Sequence, residues 1–339
     1  MDNKNTSKGS YQLNSILRVE DKAFFVPINR RILVEYSITE NREMALYELP
    51  DFSYDGLNPF LDIVCCCEKI VIIPNHTDVF IIFDLDSKTF STINIPQNNI
   101  NCHPWGYFSN AIVYKNKVYA IGQVYPGIVQ VDVEQCTTEI VLNMSTEEKT
   151  ISRFVYDSVF YEGNIFLLSA IDNYLHVFSL DALEVKSIRL GIGDEPQYKT
   201  IAINNGFVWL VKNDGSIYSF NVSFVKPDYE IRMQTNFITK LEKIKNNTQI
   251  RSVSCGKYII IGTDNGIINV INMNERDSKV VDFGIDQSPD EYHIYCFFDN
   301  EDKNISFLDR DKLKNYRIDI IEKRITEIKI ARDDKKYFA

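Results

Sequence analysis

Residues 154–190 read FVYDSVFYEGNIFLLSAIDNYLHVFSLDALEVKSIRL, four short apolar runs parted by turn residues. Each run has strand length, is rich in Val, Ile, Phe and Tyr, and ends near Gly, Asn, Asp or Ser. The Glu162-Gly163 pair between the first two runs is hairpin chemistry. The second run, IFLL, is apolar throughout, as a strand buried on both faces must be. The third and fourth, YLHVFSL and EVKSIRL, alternate as outer strands do. The stretch predicts a four-stranded antiparallel sheet.

The same unit recurs along the chain. In seven places a turn residue (Lys22, Lys69, Lys117, Asn164, Gly206, Lys257, Asn304) opens an apolar run. Fourteen residues on comes an apolar side chain: Tyr36, Phe83, Val131, Phe178, Phe220, Ile271 or Ile318. A small polar residue follows each time (Ser37, Asp84, Asp132, Ser179, Asn221, Asn272, Asp319), and then another apolar one. The copies stand 47, 48, 47, 42, 51 and 47 residues apart. A fixed inner offset with a drifting outer spacing is the mark of one hairpin repeated between variable loops.

One such sheet cannot bury both its faces. Radial stacking gives every sheet a neighbour, and closing the ring removes the ends. The predicted fold is therefore all-β: a seven-bladed β-propeller of four-stranded antiparallel blades, a single domain over 1–339. The blades fall near 11–50, 60–96, 107–143, 153–191, 197–234, 250–284 and 291–331. Closure is expected by blade packing alone, since the first unit begins at its strand a and the last ends at its strand d. The stretch 235–249, which contains TNFITKLEKIKNN, reads as an irregular insertion with a short amphipathic helix.

The units KVYAIGQVYPGIVQVDVEQCTTEIV (117–141) and NIFLLSAIDNYLHVFSLDALEVKSIRL (164–190) resemble kelch-type propeller blades, and the likeness extends over essentially the whole chain. Single glycines, Gly122 and Gly262, stand where kelch blades carry a Gly-Gly pair, and strand d lacks the kelch Trp. The resemblance implies the architecture and carries no activity with it.

Lys and Arg number 37 against 47 Asp and Glu, a net charge of −10. Nucleic acid and anionic membrane surfaces are thereby disfavoured as partners. No apolar run approaches the roughly 20 residues that span a bilayer, and the polar start MDNKNTSKGSYQLNS lacks the apolar segment of a secretion signal. The seven cysteines include the run Cys65-Cys66-Cys67, a poor disulfide framework because neighbours on a strand point to opposite faces. Reduced thiols and a cytoplasmic location are expected. The abundance of Lys, Asn and Ile suggests an AT-rich bacterial genome.

The loops joining strand d of one blade to strand a of the next are the long ones, and binding residues concentrate in such loops. Within Cys102-His103-Pro104-Trp105-Gly106-Tyr107, the residues His103, Trp105 and Tyr107 offer a flat amphipathic surface to a sugar ring or a partner protein. The alternative is that Trp105 plugs the ring or packs between blades. A second candidate set is the polar row seven residues before each turn residue: Asp62, Asn110, Asp157 and Lys199, with Arg251 one position out of register. These side chains either ring a ligand site or satisfy one another.

The four histidines, His76, His103, His176 and His293, fall in different units, and His176 reads as a partly exposed residue of strand c. No metal-ligand spacing, nucleophile elbow or phosphate loop is present, so neither metal nor other cofactor is expected. The sequence thus points to a non-enzymatic binding or scaffold module for a protein or peptide, acting through the face of the d–a and b–c loops. Carbohydrate binding or processing, with the aromatic loop beside Asp62, Asp157, Asp194 and Glu195, is one alternative. A metal-dependent lyase or lactonase is another.

Overall fold

The computed structural model describes residues 15–27, 30–37, 39–40, 42–53, 59–96, 106–144, 153–191, 195–204 and 206–222. Beyond these it describes the backbone of the strands from 236 to 328, with the side chains of Ile259, Ile261, Asn269 and Ile271. There are seven four-stranded antiparallel sheets, each made of four strands consecutive in sequence, so no strand passes from one sheet to another. Blade four is typical, with strands Val155–Tyr161, Asn164–Ser169, Tyr174–Ser179 and Glu184–Arg189. Strands a of consecutive blades contact one another from blade one to blade six, which makes strand a the innermost of those six sheets. This is the β-propeller arrangement.

The core lies between blades rather than within them. One cluster joins blades one and two through Phe24, Leu33, Ile70, Ile72 and Phe83. Others join blades two and three around Val71, Phe80, Phe108 and Tyr125, and blades three and four around Tyr119, Ile121, Leu167 and Phe178. Phe166, Leu168, Val208 and Leu210 fill the gap between blades four and five, and Ile217, Ile259 and Ile271 the next. The uniformly apolar strands b supply both of their neighbours, and each fully buried Ile, Leu or Phe contributes roughly 1.5–3 kcal/mol.

The small polar residue of the repeat closes the c–d turn. Asp84 Oδ1 accepts from the N–H groups of Asp86 (3.1 Å) and Ser87 (2.8 Å). Asp132 Oδ1 does the same for Glu134 and Gln135, and Ser179 Oγ for Ala182. The apolar residue that follows donates its N–H to the a–b turn of its own blade: Leu85 to Glu68 O, Leu180 to Gly163 O, Val222 to Gly206 O. The signature thus ties the two hairpins of a blade together at one end.

Two expectations need correction. The segment 236–240 is not helical: Asn236–Lys240 is strand d of blade five, paired with Ser216–Asn221. Phe237, Ile238 and Thr239 are aromatic or β-branched, and pairing with an open sheet edge outweighs the local helical spacing. Residues 241–249 lie outside the described residues. Second, strands b of blades five and six begin at Phe207 and Tyr258, one residue after Gly206 and Lys257. Phe207 pairs with Asn221 and Tyr258 with Asn272, whereas Lys69 pairs with Asp84. The b–c hairpins of these two blades are one residue shorter.

Candidate functional site at the inner rim

At the d–a/b–c end, strand a of blades two to five carries the same irregularity. Phe60, Phe108, Val155 and Tyr198 keep their pairing with strand b; the next residue bulges out, and pairing resumes at Asp62, Asn110, Asp157 and Thr200. A bulge bends the strand and re-aims a side chain. In three blades the residue after the bulge secures it: Asp62 Oδ1 accepts from Ile63 N–H (2.8 Å), Asn110 Oδ1 from Ala111 N–H (2.8 Å) and Asp157 Oδ1 from Ser158 N–H (2.9 Å).

The predicted polar row is thereby brought together, with one substitution. Thr200, not Lys199, stands in register with Asp62, because blade five begins strand b one residue later. Arg251 does lie in register, opposite Gly262, where Asp62 lies opposite Ile73; the Arg251 side chain is outside the described residues. Neighbours in the row bond across blades. Ser15 donates to Asp62 Oδ1 (2.5 Å), and Thr200 Oγ1 donates to Asp157 Oδ2, which also accepts from Ile201 N–H (3.1 Å). Burial pushes the Asp62 carboxyl up, against the pull of Ser15 and Ile63 N–H toward the charged form. Asp62 and Asp157 therefore hold blades together, which accounts for acids on these innermost strands.

Tyr107 has a structural role too. Its N–H donates to Asn75 O (2.9 Å), and its carbonyl accepts from Gln123, Val124 and Tyr125. Gln123 O accepts from Phe154 N–H, and Phe154 O from Ala170 N–H. A backbone belt thus runs from blade two through blade four, stepping from each b–c loop to the strand-a entry of the next blade. His103 and Trp105 lie outside the described residues, as does Asp194; Glu195 is exposed.

The bulged residues themselves differ. Blades two and three place Leu61 and Ser109 there, blades four and five Tyr156 and Lys199. Lys199 Nζ sits 4.1 Å from the Tyr156 ring centre and the Arg153 guanidinium 5.2 Å from it. Arg153 also donates to the carbonyls of Val155 (2.9 Å) and Tyr156 (2.8 Å). Arg153 and Tyr156 were not among the candidates read from sequence. Strict two-residue alternation hides a bulge, and only alignment of the four strand entries exposes it.

One arrangement has a nucleophile's order of residues. His176 Nδ1 lies 2.8 Å from Ser187 Oγ across strands c and d of blade four, and Nε2 lies 3.9 Å from Asp172 Oδ1. Burial holds the His176 ring toward its neutral form, with Asp172 opposing. The acid is beyond hydrogen-bond reach. Among the described residues no group of three or more His, Cys, Asp or Glu is placed to hold a metal ion. Cys65, Cys66, Cys67 and Cys136 are free thiols, and burial, reinforced by Cys67, pushes Cys66 up to about 12.

No protein-family model and no curated protein matches the chain. Solved structures do. A virginiamycin B lyase from Staphylococcus aureus, in a catalytically inactive form with quinupristin, superimposes with TM-score 0.61 at 10% identity, over 91% of this chain and 94% of that one. BamB from Moraxella catarrhalis gives 0.54 at 13%, over 86% and 80%. PorZ, a surface component of the type-IX secretion system of Porphyromonas gingivalis, gives 0.60 at 12%; it covers 96% of this chain, which spans 38% of PorZ. At such identities the shared property is the fold: the chain is a β-propeller with four-stranded blades.

Proposed function

We propose that this kelch-like propeller is a cytoplasmic, non-enzymatic binding module that recognises a protein or peptide through its d–a/b–c rim. The observation that carries the reading is the division of labour at that rim. Backbone hydrogen bonds from Asn75 to Ala170 hold the loops, while the carboxylates of Asp62 and Asp157 are engaged between blades. A rim fixed this way is a rigid platform, and its remaining side chains are available for contact. The neighbours use one fold both for a secretion-system component and for a lyase, so the fold alone does not choose. The engaged acids weigh against the carbohydrate-processing and lyase alternatives.

Capture from extracts of the native host by the immobilised full chain tests the reading. Trp105→Ala or Lys199→Ser should abolish capture of a partner that Lys115→Ala, on the opposite rim, retains. Capture unchanged by both rim variants would overturn it. Signal on a glycan array, or turnover of chromogenic glycosides, would move the assignment to carbohydrate.

A further inference from the structure

We infer that Cys66 and Cys67 form a vicinal dithiol site that takes a trivalent arsenical with two exchangeable hydroxyls, R–As(OH)2. The site lies at the a–b turn of blade two, away from the d–a/b–c rim, and does not depend on the proposed function. Neighbours on a strand point to opposite faces, and Cys65 and Cys66 obey that rule. Cys65 pairs with Ile70, which packs toward blade one, whereas Cys66 lies in the core shared with blade three. The strand ends at Cys66, and Cys67 opens the turn in the left-handed region at φ 52°. Alternation therefore fails between these two residues. Cys67 packs against the same core as Cys66, and the two sulfurs stand 3.8 Å apart.

That separation selects the geometry of the occupant. Two sulfurs 3.8 Å apart, each bonded to one centre at about 2.3 Å, subtend an angle of about 110°. A linear two-thiolate metal would need them about 4.6 Å apart. A tetrahedral metal accepts the angle but needs four donors, and among the described residues no group of three or more His, Cys, Asp or Glu is placed to hold a metal ion. A pyramidal centre with three bonds needs only the two sulfurs, the third bond being its own substituent. Cys67 is partly exposed and Cys66 is buried, 3% exposed, so attack begins at Cys67 and closes onto Cys66. The second step is intramolecular and gains from the high effective concentration of its neighbour. In the condensation two As–O and two S–H bonds break, two As–S and two O–H bonds form, and two waters leave with arsenic still trivalent. Burial, reinforced by Cys67, pushes Cys66 up to about 12 and keeps it protonated at neutral pH. Alkylation and peroxide oxidation, which need the thiolate, are thereby slowed. The condensation releases no net proton, so the protonated thiol remains a competent partner.

The cysteines supply their own controls. The reduced full chain is treated with phenylarsine oxide, which hydrates to phenylarsonous acid, and adducts are read by native mass spectrometry. The wild type should carry one phenylarsenic group, in place of two hydrogens, that Cys67→Ser lacks. The apparent affinity for that group should fall at least about 100-fold in Cys67→Ser, a partly exposed position where the fold is not at risk. Cys66→Ala should lose the same group, with thermal midpoints recorded for both variants. Cys65→Ser, on the other face of the strand, and Cys136→Ser should bind as the wild type does. The wild-type adduct should survive a large excess of 2-mercaptoethanol and yield to ethanedithiol, as attachment through two sulfurs requires. Undiminished uptake by Cys67→Ser, no uptake by the wild type, or loss in Cys65→Ser overturns the site. Removal by 2-mercaptoethanol as readily as by ethanedithiol would show attachment through one sulfur and overturn it equally. Displacement of phenylarsenic by equimolar zinc would overturn the arsenical assignment in favour of a metal.

Discussion

The two rims of the propeller are joined by different means. At the d–a/b–c rim the blades are linked largely through backbone, in the belt from Asn75 through Tyr107, Gln123 and Phe154 to Ala170. At the a–b/c–d rim side chains make the links. Lys115 of blade three reaches Asp181 of blade four at 2.6 Å, and Tyr114 donates to the same carboxylate at 3.1 Å. Lys69 of blade two donates to Val133 O of blade three at 3.1 Å. Glu35 of blade one is buried, 5% exposed, between Lys22 (2.7 Å), Tyr47 (2.7 Å) and, in blade two, Lys88 (3.9 Å). A backbone link does not depend on which side chains are present, whereas a side-chain link fixes them. Apart from Asp62 and Asp157, the first rim can therefore vary its side chains with the belt intact, whereas at the second rim the side chains are themselves the links.

The sharpest way to break the contrast is at the belt's tight point. A Cβ on Gly122 would lie 1.9 Å from Tyr125 O and 2.6 Å from Gly127 O, both backbone atoms that cannot turn aside. Gly122→Ala should cost about 3–5 kcal/mol, read from urea midpoints. A loss under about 1 kcal/mol would mean that this loop yields and the rim is not rigid. The glycine ending strand b of blade three is demanded by a carbonyl in its own b–c loop.

Glu35 tests the other rim. Burial alone would raise its carboxyl, but Lys22, Tyr47 and Lys88 together hold it below the ordinary range. Glu35→Gln leaves two ammonium groups without their shared anion and should cost about 1–3 kcal/mol at neutral pH. A group with a depressed folded pKa stabilises above its unfolded value, near 4.3, and loses that contribution as pH falls through the lower folded value. The gap between wild type and Glu35→Gln should therefore close in acid and stay open at neutral pH. A gap that widens in acid would contradict the assignment. Asp181→Asn, at an exposed pair, should change stability far less than Glu35→Gln, and salt should erase the difference. An effect as large as that of Glu35→Gln would show that exposed links also carry this rim.

The blades were legible because apolar runs and turn residues report strands directly, and the capping residues Asp84, Asp132 and Ser179 recur at a fixed offset. Less was legible wherever pairing, not composition, decides. The one-residue slip in blades five and six moved the predicted row from Thr200 to Lys199, since only hydrogen-bonded register separates them. Strand d of blade five carried a helical spacing that an open sheet edge overrode. The cation–aromatic group of Arg153, Tyr156 and Lys199 escaped because a bulge breaks the alternation by which a strand's faces are assigned. His103 and Trp105 fall outside the described residues, so the loop 102–107 is represented in the structure only by Gly106 and Tyr107.

The smallest predicted effect lies in the a–b hairpins, where the side-chain rim begins. Their central pairs have positive φ: Cys67 (52°) and Glu68 (59°) in blade two, Lys115 (46°) and Asn116 (63°) in blade three, Glu162 (47°) and Gly163 (74°) in blade four. Such turns favour Asn and Gly, and blade two has neither. Its strain is tolerated because Leu85 donates to Glu68 O and the buried strands on either side fix the hairpin. Glu68→Gly keeps that carbonyl and removes the strain, so it should stabilise by about 0.5–1 kcal/mol despite the added freedom of the unfolded chain. The reciprocal change, Gly163→Glu, places a Cβ 3.0 Å from the Tyr114 hydroxyl at φ +74° and should destabilise by at least as much. Opposite signs at equivalent positions in thermal unfolding are the expected outcome. The same sign in both would mean that neighbouring blades, rather than local backbone conformation, decide which residues this rim accepts.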